Sequence, residues 1–284
     1  MKKILLVLNG PQAPVHVISA AVEIAKADKA FLHALFLVPA ISRPTLLYPF
    51  INDLALTGTE LSKQSIEQED QHQANDSIRL FKDACTAANV FFKISPDGDI
   101  SFDQLIHHTA FADLLIADAE ADFPETPSMP LTVSLGDLLA DAHCPVLLLQ
   151  EEIKQPERVI LSYDGSFSSV HAIKMFSYVF PEWRATPATL LCVLPRENAR
   201  MEYEEFIKDL LPQHFTSLNV ERLIGDAKKE LLKTVTTSGQ NTLVVMGAYG
   251  RTGIGRLFHK SLSHTLLKET KAALFISHER TNAT

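Results

Sequence analysis

The chain repeats itself, and that limits the folds open to it. Ile4-Leu5-Leu6-Val7-Leu8-Asn9-Gly10 reads as a strand ending in a turn, and so does Val159-Ile160-Leu161-Ser162-Tyr163-Asp164-Gly165. Helical stretches follow at Val15–Lys29 and Ser168–Phe180, then apolar strands at Ala30–Val38 and Thr189–Leu194. Further on, Gly98-Asp99-Ile100 matches Gly225-Asp226-Ala227. Each follows a strand, Val90–Ile94 or Val220–Ile224, and opens a helix with Asp placed as its N-cap. The runs Asp113–Ala117 and Thr242–Met246 are continuously apolar, as strands buried on both faces are. The final units, Ser134-Leu135 to Leu149 and Ser261-Leu262 to Ile276, align without a gap.

Alternating strands and helices imply a parallel sheet covered by helices on both faces. The expected fold is therefore α/β: two tandem flavodoxin-like or Rossmann-like domains, each a five-stranded parallel sheet. The domains are set at residues 1–150 and 157–280, with the polar stretch Glu151–Glu157 as linker. Two separate sheets are expected, packed as a pseudo-two-fold pair through their last strands, Val146–Leu149 and Phe275–Ser277, whose apolar edges would otherwise be open. The first repeat also carries a longer segment, Pro39–Ser62, ahead of a polar helix over about Glu60–Ala88; it reads as a lid or as packing over the domain edge.

No apolar run approaches the ~20 residues that span a bilayer. The apolar stretch at the start stops at Asn9-Gly10-Pro11 with no cleavage-like site after it, so a strand is expected there rather than a leader. Cys85, Cys144 and Cys192 are odd in number and form no Cys-x-x-Cys, which fits small buried hydrophobes in a reducing compartment. A cytoplasmic protein without a membrane partner is expected. Residues 1–150 hold 9 Lys/Arg against 19 Asp/Glu, and residues 151–284 hold 17 against 15. An acidic first half argues against nucleic acid as a partner, because phosphate contacts dominate such binding.

One stretch carries chemistry. After the fourth strand of the second repeat comes a loop with Gly247, Gly250, Gly253 and Gly255, then Lys260-Ser261-Leu262-Ser263 opening a helix. Ligands of open α/β sheets bind at the carboxyl ends of the strands. Glycines let backbone approach a ligand, and free N–H groups at a helix start favour an anion. From Leu231 to Lys268 there are five Lys/Arg and no Asp or Glu. An anion site is the better reading over a flexible surface loop. Neither the P-loop nor G-x-G-x-x-G fits: the glycine before Lys260 is missing, and the dinucleotide motif belongs after a first strand.

The loop resembles that of the universal stress protein family, whose nucleotide-binding members carry Gly-x2-Gly-x9-Gly-Ser/Thr. Gly247, Gly250 and Ser261 match at that spacing; Lys260 stands where the third glycine belongs. Asp164, Val193 and Gly225-Asp226 extend the resemblance over the second repeat, and more weakly it reaches the first, as in the tandem form of the family. The resemblance implies ATP, with Mg²⁺, as the ligand. Asp164 would bond the ribose, the backbone around Val193 would meet the adenine edge, and Gly247, Gly250, Ser261, Leu262 and Ser263 would hold the phosphates. The full candidate set adds Tyr163, Met246, Arg251, Gly253 and Lys260. Lys260 either obstructs close approach or contacts phosphate as a point charge. Read without the resemblance, Asp164 is equally a turn residue of Asp-Gly.

The matching loop of the first repeat has no glycine, three prolines, and Asp118, Glu120, Asp122 and Glu125; Asn9 replaces Asp164. Carboxylates at a phosphate site repel the ligand. One adenine nucleotide per chain is expected, in the second repeat. His107 and His108 read as helix positions rather than metal ligands, and no nucleophile–base constellation is apparent. A nucleotide-binding regulator of the stress response therefore stands ahead of a nucleotide-free interaction scaffold and of a slow ATPase or autophosphorylating protein; the chain is expected to form an intramolecular pseudo-dimer or a homodimer.

Overall fold

The computed structural model describes residues 2–9, 13–37, 59–95, 102–119, 135–247 and 263–277, with the side chains of 9 and 59–71 excluded. The first half runs β1 (Lys3–Asn9), α1 (Val15–Asp28), β2 (Phe31–Leu37), α2 (Thr59–Ala88), β3 (Phe91–Ser95), α3 (Phe102–Ala110), β4 (Leu114–Asp118), α4 (Leu135–Asp141) and β5 (Val146–Leu149). The second runs β6 (Arg158–Ser162), α5 (Phe167–Val179), β7 (Ala188–Leu194), α6 (Glu204–Leu210), β8 (Leu218–Ile224), α7 (Ala227–Thr237), β9 (Thr242–Gly247), α8 (263–269) and β10 (Ala273–Ser277).

Strand order is β3-β2-β1-β4-β5-β10-β9-β6-β7-β8. Among the described strands, every pairing within each half is parallel, and β5 and β10 alone meet antiparallel. The halves thus share one strand order, and in place of two separate sheets there is one continuous sheet of ten strands. The reason lies in the last strands. All four residues of β5 and all five of β10 are buried, so each edge left alone would expose unpaired backbone in an apolar row; pairing them removes both edges.

The register at this seam pairs Leu147 with Phe275, which hold the same place in the two halves, beside Ile116 and Val245 respectively. Leu148–Leu274 and Val146–Ile276 exchange about them, so the strands match one residue out of step with the gapless sequence alignment. A local two-fold therefore runs through the seam, normal to the sheet. It turns the second half round, so the carboxyl ends of β6–β9 leave the sheet on the edge opposite those of β1–β4.

Alternation along the strands splits the core into two layers. Ile4, Leu6 and Leu8 pack with α1, α2, α5 and α6 on one face. Leu5 and Val7 pack with α3, α4, α7 and Leu266 on the other. Both layers run without a break across the seam. Polar contacts cross it too. The Lys2 ammonium bonds Asp28 at 2.6 Å and the carbonyl of Val179, the last residue of α5, where a cation meets the negative end of the helix. Ser19 donates to Glu152 at 2.8 Å.

Candidate functional site

The turn from β6 into α5 is tightly specified. Tyr163 continues the strand, its N–H donating to the Leu191 carbonyl. Asp164 is exposed, and its Oδ1 accepts from the Ser166 backbone N–H at 2.9 Å and the Ser166 hydroxyl at 2.5 Å, an Asx turn. Gly165 between them has φ +77°, a conformation that requires glycine here. Ser166 in turn N-caps α5, accepting from the Ser169 N–H at 3.1 Å. Asp-Gly-Ser therefore both turns the chain and holds a carboxylate at the sheet edge.

Strand order brings the ends of β9, β6 and β7 side by side, so Gly247, Asp164 and Val193 line one edge. They do not all present side chains there. Tyr163 is 2% exposed and its hydroxyl donates to the Glu202 carbonyl at 2.6 Å, so only its backbone faces the edge. Met246 belongs to the core layer beneath α7. Val193 is half-buried, paired with Leu223 of β8. Ser263 is buried at the start of α8. Gly250, Arg251, Gly253, Lys260, Ser261 and Leu262 lie outside the described residues.

Gly247 has a packing role that its place in a motif hides. A Cβ there would stand 2.6 Å from the Ser168 hydroxyl and 2.7 Å from the Ser168 carbonyl carbon. Its missing side chain is what lets the first turn of α5 close onto β9. Gly247→Ala is expected to destabilise the chain by about 1–3 kcal/mol, since backbone has to shift; urea unfolding of the ligand-free protein checks it, and an unchanged midpoint would mean that α5 moves aside freely.

Charges around the edge are organised. Glu204 accepts hydrogen bonds from Lys208 and Arg222, and these, the lysine foremost, hold its carboxyl below the usual range. Cys192, beneath Asp164, is pushed up to about 11 by burial and then by that carboxylate. Burial raises Cys85 and Cys144 to about 12, so all three cysteines are neutral thiols at physiological pH. In the first half, Asp118 closes β4 and is half-buried; Glu120, Asp122 and Glu125 lie outside the described residues.

One constellation escaped the sequence reading. His33 of β2, 3% exposed, sits 3.0 Å from the Ser95 hydroxyl through Nε2, with His108 of α3 edge-on at 5.5 Å. A lone histidine in an apolar strand gives no hint that its neighbour two elements on is a serine. The pair resembles a nucleophile and its base, but burial, then Lys93, His108 and Lys3, depress His33 to about 4. An imidazole that weak is a poor base at neutral pH. The pair is a satisfied core contact.

No family model and no curated protein matches the chain. Solved structures do. A universal stress protein from Archaeoglobus fulgidus superposes with a TM-score of 0.62 at 12% identity, over 96% of this chain and 98% of that one. A functionally unknown protein from Pseudomonas aeruginosa PAO1 gives 0.53 at 15% identity over 97% and 92%. A protein of Pseudomonas aeruginosa UCBPP-PA14 described as of the same stress family gives 0.53 at 16% identity, again over 97% and 92%. Among the described residues no helix is long and apolar enough to cross a membrane. Identities this low speak for architecture alone, and on architecture the answer is plain: over nearly its whole length, this chain has the fold of the universal stress proteins.

Proposed function

We propose that the chain is a nucleotide-binding regulator of a stress response, made of tandem domains at 1–150 and 157–280, that holds one ATP with Mg²⁺ at the carboxyl edge of β6, β7 and β9. The observation that carries this reading is Asp164. It is exposed on the ligand edge of a parallel sheet, its Oδ1 locked by Ser166, next to the strand end from which the glycine-rich, acid-free loop departs. A fixed carboxylate suits ribose hydroxyls; glycine backbone and a helix start suit phosphate. The corresponding loop of the first half offers four carboxylates and no glycine, so that half is assigned no nucleotide.

Calorimetry with MgATP tests the assignment. The expected stoichiometry is one per chain. Gly250→Asp is expected to weaken binding at least tenfold, because it sets a carboxylate beside the phosphates and removes charge-assisted hydrogen bonds of about 1.5–3 kcal/mol. Ala121→Asp in the first half is expected to change nothing. Lys260→Gly reads the departure from the motif: weaker binding means the lysine contacts phosphate, tighter binding that it obstructs. A stoichiometry of two would overturn the assignment of no nucleotide to the first half, and binding that survives Gly250→Asp but is lost in Ala121→Asp would show that the site lies in the first half. Absence of binding would leave an interaction scaffold, and turnover abolished by Ser261→Ala would make the protein an enzyme.

A further inference from the structure

Near Asp164 in the chain fold lies an aromatic cluster formed by the start of α5 and the segment after β7. Phe167, first residue of α5, is 74% exposed; Tyr203 and Phe206, after β7, are 48% and 73% exposed. The Phe167 and Tyr203 rings are near-parallel, 26° apart with centroids at 6.3 Å, and Phe206 lies 6.4 Å from Tyr203. Rings that pack on one another yet keep their outer faces in water are an unfinished stack.

The backbone that carries Tyr203 is closely constrained. Tyr203 has φ 51°, a left-handed conformation unfavourable for a bulky residue. What enforces it lies in the two residues before it. Met201 is buried in the core, and the Glu202 carbonyl takes the Tyr163 hydroxyl. The Glu202 Cβ lies only 2.8 Å from where a Cβ on Gly165 would stand, so only glycine admits the approach. Residues 201–203 are thereby clamped onto the same turn that fixes Asp164. Backbone strain maintained in this way at a ligand edge marks preorganisation.

We propose that Phe167 and Tyr203, flanked by Phe206, are a stacking platform for the base of the bound nucleotide, which adds a further layer to the stack and makes a purine preferred over a pyrimidine. This rests on the nucleotide reading above. Three arguments favour a flat ligand over a protein partner. The rings stand on the strand-end edge where small ligands bind. They adjoin the carboxylate assigned to the ribose. Their exposed area, on the order of 400 Å² from typical ring surfaces, is about half of what one side of a stable protein interface needs.

The test uses the full chain, with MgATP, MgCTP, inorganic tripolyphosphate and 2-aminopurine riboside triphosphate as probes. The variants are Phe167→Ala, Tyr203→Asn (asparagine tolerates the left-handed backbone), the two combined, and the ring-preserving Tyr203→Phe. The double variant is expected to weaken ATP at least tenfold, within the range of base–aromatic stacking, while leaving tripolyphosphate unchanged. Tyr203→Phe is expected to keep wild-type affinity, ATP to bind more tightly than CTP, and 2-aminopurine fluorescence to be quenched by wild type but not by the double variant. ATP affinity unchanged in the double variant overturns the platform and leaves the nucleotide reading standing. Loss of tripolyphosphate together with ATP means that the rings hold the fold rather than the base, and overturns it too. A wild-type chain that binds no probe overturns both readings. Nucleotide affinity unchanged with a dimer lost on sedimentation gives the rings to a second copy and overturns the proposal.

Discussion

Phe275→Ala is expected to lower the stability of the whole chain by about 3–5 kcal/mol, in one cooperative transition. Phe275 is fully buried on β10, the strand that joins the two halves, paired with Leu147 on one side and Val245 on the other. Its ring meets Phe176 edge-on at 5.4 Å and Phe180 at 6.0 Å, and Phe180 is stacked on Trp183 at 4.0 Å. Removing it leaves a cavity among rigid rings that collapse poorly, which puts the cost at the upper end for a core substitution. Because the core layer containing Phe275 runs from Ile4 to Trp183 across the seam, the damage is shared by both halves. Urea unfolding followed by the fluorescence of Trp183 and by far-UV circular dichroism checks this. Coincident transitions, both moved to lower urea, are the expected result; a shift in tryptophan fluorescence alone would show that the halves unfold separately.

Acid should weaken the protein through His33. Its imidazole is neutral in the folded chain down to about pH 4, whereas in the unfolded chain it takes up a proton near its ordinary 6.5. Between those values the unfolded state binds more protons, so folding stability rises with pH. The neutral-pH contribution is complete above about 6.5 and is lost as pH falls through 4. A gap of this size corresponds to about 3 kcal/mol. Removing the titrating ring while keeping a polar group for Ser95, as in His33→Gln, should flatten that part of the profile. Denaturation at pH 7 and pH 4 is expected to show the wild type losing about 3 kcal/mol more than the variant. Equal losses would mean that the carboxylates, common to both proteins, account for all of the acid sensitivity.

Much of the architecture was legible because repeat and period are local properties. β1, β4 and β9 announce themselves as short apolar runs between turn residues, and α1 and α5 begin within one residue of the expected positions. The Asp226 cap is also as read, its Oδ1 accepting from the Lys229 N–H at 2.9 Å. The site was less legible. Asp164 and Gly247 stand out through their spacing to glycine and serine, but spacing cannot say which atoms a side chain touches. The Tyr163 hydroxyl turned out to be spent on Glu202, and Gly247 to be needed by Ser168. Phe167 and Tyr203 are 36 residues apart with nothing in common in sequence. They meet because β6 and β7 are neighbours and Glu202 closes on Gly165.

The sequence alone therefore determined what depends on residues near one another along the chain: the doubled strand–helix order, the caps and turns, the acidic and glycine-rich versions of one loop. The tertiary structure decided what depends on residues brought together from afar. It joined two sheets into one, since the edges of Val146–Leu149 and Ala273–Ser277 are most stable against each other. It set the carboxyl ends of the strands of the two halves on opposite edges of the sheet, because that seam is antiparallel. It left His33 neutral beside Ser95, and it stacked Phe167 on Tyr203, because burial and ring contact are properties of packed neighbours, which no local pattern encodes.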